Sequence, residues 1–263
     1  MAPSVVSFSD LLRSAVTDPG ILSKAYRQFH AYSLGNQLLA WSQCLARGIQ
    51  PGPMATFPRW KELGRHVRKG EKALTLCQPV TVKRPPQTDN PADPDVFVRF
   101  TYRPKWFVLA QTDGAEPPPV SMPTWDAVRA LTALGVAEVP FDATNGNVLG
   151  FARDRSIAIN PVNPMPHKTR FHELAHVLLG HTAEGVQAHS EITPRSLREC
   201  EAESVALLCL AALNLPGSEE CRGYIQAWWG SGNPIPERSA QRILKAADQI
   251  LKAGSDQTVA GEV

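Results

Sequence analysis

No run of eighteen apolar residues occurs in this 263-residue chain, so no segment reads as a membrane-spanning helix. The opening MAPSVVSFSDLLR lacks the basic start and apolar stretch of a secretory signal, and a cytoplasmic protein with no membrane partner is expected. The five cysteines, Cys44, Cys77, Cys200, Cys209 and Cys221, are odd in number and never spaced C-x-x-C. That argues against a disulfide framework and a thiolate zinc site, and leaves them as ordinary interior thiols. Internal repeats are also lacking. A strong net charge is absent only on average: residues 1–114 hold 15 Lys/Arg against 8 Asp/Glu, net +7, whereas residues 115–263 hold 12 against 17, net −5. The basic part suits a polyanion, and the acidic part suits a divalent cation better than a nucleic acid.

The apolar spacing predicts helices in SFSDLLRSAV, behind a Ser cap, and through ILSKAYRQFHAYSLGNQLLAWSQCLARG up to Gly48. FPRWKELG reads as a short helix, ALTLCQPVTVKR as a strand, and VFVRFTYRP and KWFVLAQTDG as a further strand pair beyond the turn-rich loop PPQTDNPADPD. AEPPPVSMP, residues 115–123, reads as a stiff linker. After it come a short helix from Thr124 to Leu134, then strands in VLGFA and SIAINP joined by a turn at Asp154 and Arg155. Helices are expected from about Lys168 to Gly180, Pro194 to Leu213, Ser218 to Trp229 and Pro236 to Ala253. The expected fold is α+β in two domains: helices plus a small antiparallel sheet over residues 1–114, and a mainly helical domain with a short β-hairpin over 124–263.

TRFHELAHVLLGH contains His172-Glu173-x-x-His176. Residues four apart share a helix face, so both imidazoles can address one Zn2+ or another divalent ion, and Glu173 can act as general base toward a water there. Downstream, RECEAESVA offers Glu199, Glu201 and Glu203 as sources of a third ligand. Zinc peptidases with a glutamate as third ligand resemble one another in an E-x-x-[small]-[acidic or Asn] pattern, and Glu199 to Glu203 is similar to it. The resemblance implies Glu199 on the metal and Glu203 supporting a histidine from behind, with Glu201 as the rival ligand. His181 is a weaker rival, because Leu179 and Thr182 stand where a metzincin would need Gly and His, and it reads instead as a capping residue or a support behind the ligands. Tyr224 in GYIQAWWG is a candidate oxyanion donor, though a tyrosine beside two tryptophans also suits packing.

RWKELGRHVRKGEK sets Arg59, Lys61, Arg65, Arg68, Lys69 and Lys72 around Trp60, a pattern fit for phosphates and a stacked base, or for a solvated basic face with Trp60 in the core. YSLGNQLLAWSQ, WKELGRHVRKGEKA and VLAQTDG resemble the N-terminal domain of ArdC-type antirestriction proteins, and FHELAHVLLGH with RECEAESVALLC looks like the zincin metallopeptidase domain of that family, related to ImmA/IrrE-type zinc proteins. The resemblance implies binding of single-stranded DNA and protection of incoming plasmid or phage DNA from restriction. It points to Tyr32, Asn36 and Gln37, and to Trp60, Gly64, Arg65, Lys69 and Gly70, as the residues of the DNA-binding domain. The alternative reading is an ImmA/IrrE-like zinc endopeptidase that cleaves a protein substrate, a restriction component or repressor, and uses DNA binding for recruitment only. The segment between the linker and His172 is short, which implies fewer cleft strands than longer relatives have.

Overall fold

A computed structural model describes residues 7–83, 96–117, 121–143, 147–182, 194–230 and 234–256. The loop expected in PPQTDNPADPD lies outside the described residues. The fold is α+β, and it divides into two compact units, one drawn from residues 1–38 and 121–263, the other from 39–120.

In the first unit, α1 (Phe8–Thr17) starts at Ser7, whose hydroxyl accepts from the Asp10 N–H, and buries Leu11, Leu12, Ala15 and Val16. Helix α2 (Ile21–Phe29) buries Leu22, Ala25, Tyr26 and Phe29 at the same three-and-four spacing, and α3 (Leu34–Ala46) follows, with the division between the units falling inside it. The sequence grouped residues 1–38 with the basic segment; the packing groups them instead with the helices that follow residue 121. Periodicity reveals that a helix face is apolar, not what will bury it.

The second unit contains β1 (Met54–Thr56), α4 (Phe57–Glu62), β2 (Arg65–Val67), β3 (Leu74–Lys83), β4 (Val96–Val108), a 3-10 turn at Leu109–Gln111 and β5 (Thr112–Gly114). One sheet has the order β1-β4-β3 and another pairs β2 with β5, all antiparallel. The sequence divided residues 96–114 into two strands near Pro104, but β4 runs straight through it. A register shift at Leu74/Thr75 absorbs the proline, which has no N–H to give the ladder.

The first unit resumes with α5 (Ala127–Leu134), β6 (Ala137–Glu138), β7 (Gly150–Arg153) and β8 (Ser156–Ile159), in the sheet order β6-β8-β7. The two-residue β6, parallel to β8, was not anticipated; so short a strand leaves no periodicity to read. Helices α6 (Pro166–Leu178), α7 (Arg195–Leu213), α8 (Ser218–Gly230) and α9 (Glu237–Gly254) complete the unit. Cys44, Cys200, Cys209 and Cys221 are buried, Cys77 is half-buried, and none forms a disulfide.

Glu237, at the start of α9, accepts the N–H groups of Phe8 and Ser9 at 2.9 Å each, satisfying two donors that the first turn of α1 cannot use internally. Its carboxyl lies below the ordinary glutamate value of 4.5: partial burial acts upward, but the two backbone donors outweigh it. A depressed carboxylate contributes stability above its unfolded pKa and loses it as pH falls through the folded one. Glu237→Gln is therefore expected to cost about 1 kcal/mol at pH 7. Chemical denaturation at a series of pH values should show this gap closing below pH 4.5.

Candidate metal centre and nucleic-acid interface

Helix α6 buries Phe171, Leu174 and Ala175, which turns His172 and His176 toward α7. Gly150 of β7 permits the close packing of α6 behind them, since a Cβ there would lie 2.5 Å from Thr169 Cγ2 and 2.9 Å from the Ala158 oxygen. His172 Nε2 and His176 Nε2 are 3.0 Å apart, and Glu199 Oε2 stands 3.4 Å from the first and 3.6 Å from the second. Donors at ~2.0–2.2 Å from a tetrahedral ion lie roughly 3.3 Å from one another. The three side chains thus fit a divalent cation in spacing as well as chemistry, and they form the one group of potential metal ligands among the described residues.

The other ring nitrogens are held from behind. His172 Nδ1 lies 3.4 Å from Glu203 Oε1, which also pairs with Lys168 Nζ at 3.2 Å. His176 Nδ1 lies 3.0 Å from His181 Nδ1, and His181 Nε2 lies 2.8 Å from Glu201 Oε2. If the Glu201 carboxylate accepts from His181 Nε2–H, the His181 Nδ1 lone pair accepts from His176 Nδ1–H. His176 Nε2 is then left with a free lone pair toward the ligand position. Glu201 is fully buried and faces His181 and Arg242, not the two metal-motif imidazoles.

Electrostatics express the same demand for a cation. Burial acts to lower the His172 pKa, but Glu199 and Glu203 overcome it and hold the imidazole at about 9. His176 is pushed down to about 4, by burial first and then by the His172 charge. Glu203 sits at about 2, because contacts with His172, Cys221 and Lys168 outweigh its burial. Glu173, beside the trio, is raised to about 7, chiefly by burial. Tyr224 on α8 is raised by burial and by the charges of Glu199 and Glu203, so its hydroxyl faces the same field.

The residues expected at a DNA interface fall in both compact units and differ in exposure. Asn36 and Gln37 are buried in the first half of α3, where Gln37 Nε2 donates to the Tyr32 oxygen at 2.8 Å, and Tyr32 is half-buried. Trp60 is 1% exposed and donates Nε1–H to the Phe107 oxygen, so it is a core residue and offers no stacking face, a correction to the stacking role. The guanidinium of Arg65 bonds Thr112 and the Gly114 and Ala115 oxygens, and that of Arg68 bonds Glu71 and the Ala110 oxygen. Lys61, Lys69 and Lys72 present their charges to solvent. Gly64 and Gly70 adopt φ of +71° and +92°, so their turns account for them without a ligand.

Residues 14–103 match the family model of the N-terminal domain of anti-restriction factor ArdC. No curated protein matches the chain significantly in sequence. The crystal structure of antirestriction ArdC from plasmid R388 in its Mn(II)-bound form is 18% identical, with a TM-score of 0.54 over 95% of this chain and 99% of that one. Its metal-free form gives 0.52 at 18% identity, over 94% and 97%. The chain thus carries an ArdC-like N-terminal segment, and its fold resembles that of R388 ArdC.

The ArdC match crosses the division at Leu38, so the N-terminal family domain and the compact unit over 39–120 are not the same object. Two features of the chain escaped the sequence. One is the role of Glu201 as the partner of His181 behind His176, since the two lie 20 residues apart with no motif joining them. The other is the exposure of Phe100 and Tyr102 on β4, signalled only by an alternation of aromatic and basic residues with no acid among them.

Proposed function

We propose that this protein binds single-stranded DNA through its basic unit and holds one divalent ion through His172, His176 and Glu199, protecting incoming mobile-element DNA from restriction. The observation that carries the metal reading is the convergence of those three donors with Glu173 alongside. The Mn(II) described for R388 ArdC favours a divalent ion, and a two-histidine, one-carboxylate set with an open position suits zinc. The DNA reading is supported by the ArdC N-terminal match and by 12 Lys/Arg against 7 Asp/Glu in residues 39–120.

A zinc endopeptidase acting on a restriction component or repressor is the second reading, favoured by Glu173. When bound, a divalent ion there would lower the pKa of a coordinated water and polarise a substrate carbonyl. Glu173, at about 7, can take a proton at neutral pH and return it to a leaving amine. Glu203 and the His181–Glu201 pair hold the two imidazoles in place, and Tyr224 is the proposed donor to a developing oxyanion.

Glu173→Gln separates the two readings. If proteolysis underlies protection, plasmid survival against restriction should fall by about 10²–10⁴-fold while the ion stays bound. If both protection and metal content are kept, the peptidase reading is wrong and the DNA-binding one stands.

A further inference from the structure

Strand β4 carries its largest exposed apolar groups where the core does not need them. Phe100 is 68% exposed and Tyr102 37%, and they pair with Pro79 and Cys77 on one face of the β3–β4 ladder. Neither β3 nor β4 contains an acidic residue. Arg99, Arg103 and Lys105 are exposed on β4 and make no ion pair with a described residue. Strand β1 pairs only with Trp106 to Val108, so from Arg99 to Lys105 the described residues leave one edge of β4 open.

We propose that single-stranded DNA docks across the open edge of β4, its bases on Phe100 and Tyr102 on one face and its phosphates along that edge, within reach of Arg99 and Arg103 on the other face and of Lys105. The proposal rests on the single-stranded DNA reading above and moves its contact surface away from Trp60. Residues two apart on a strand stand about 6.7 Å from each other. That is roughly twice the 3.4 Å rise per nucleotide, which leaves room for a base between the rings. Stacking needs an exposed ring with cations in reach, and it tolerates any base, as a protein that meets foreign DNA of any sequence requires. The arginines alternate with the aromatic residues, so one strand supplies both functions from its two sides.

The test is fluorescence anisotropy of the full chain with a labelled 20-mer oligothymidylate across a salt series, with sedimentation velocity on the same samples. Phe100→Ala with Tyr102→Ala, both at exposed positions, should weaken binding about tenfold or more. Tyr102→Phe, which keeps the ring, should restore the affinity lost in Tyr102→Ala. Arg99→Ala with Arg103→Ala should flatten the slope of log K against log salt by about 1.4. Unchanged affinity in the aromatic double variant overturns the proposal while leaving DNA binding intact. A variant that changes the oligomeric state but not the affinity overturns it in favour of strand pairing between copies. A wild-type chain that does not bind the oligonucleotide overturns the underlying reading itself.

Discussion

Glu201→Ala is expected to destabilise the metal-free protein by about 3 kcal/mol, since breaking a buried ion pair by removing one partner leaves an uncompensated group inside. The carboxylate is fully buried, 2.8 Å from His181 and 3.9 Å from Arg242. Glu201→Gln keeps an oxygen to accept from His181 Nε2–H and should recover much of the loss. The alanine variant should also bind its divalent ion about 10–100-fold more weakly, because His181 is what fixes the His176 ring from behind. Urea denaturation of the chelator-treated protein reads the first effect and calorimetric titration with zinc the second. Equal stability of wild type and Glu201→Ala would mean that the His181–Glu201 pair supports nothing.

A second large effect is expected on loading the site. An ion held by His172 and His176 on α6 and by Glu199 on α7 binds only the folded chain, so it adds to stability by mass action. At a thousandfold excess over Kd this is about 4 kcal/mol. For a chain of this size the corresponding rise in Tm is about 10 °C. Removing the ion with a chelator should reverse the rise, and His176→Ala should abolish it. The His172 proton, held at about 9, must leave before an ion can bind, so affinity should climb with pH across the neutral range and level off near that value. A melting curve indifferent to zinc and manganese in the wild type would show that the cluster does not hold a cation.

How far these features could be read in the sequence varied with the range of the interaction behind them. The helical spacing of His172 and His176 is a local property and was plain. The choice between Glu199 and Glu201 was not, because two residues on a helix differ by about 200° in direction and nothing local says which side faces α6. The structure turns Glu199 toward the histidine pair and Glu201 into the interior. Trp60 admitted either a stacking or a packing role, and its bond to the Phe107 oxygen, 47 residues on, decided the matter. Residues 8–29 were recognisable as amphipathic helices, but their partners α7 and α9 lie more than 160 residues away in sequence. Strand β4 appeared broken at Pro104 because a proline in a strand ordinarily ends it, and the register shift that accommodates it depends on β3.

The most direct test of the account is elemental analysis by mass spectrometry of purified wild type beside His176→Ala, Glu199→Ala and Glu201→Gln. One divalent ion per chain is expected in the wild type and in Glu201→Gln, and none in the other two. A full complement of metal in Glu199→Ala, or none in the wild type after incubation with zinc or manganese, would contradict it.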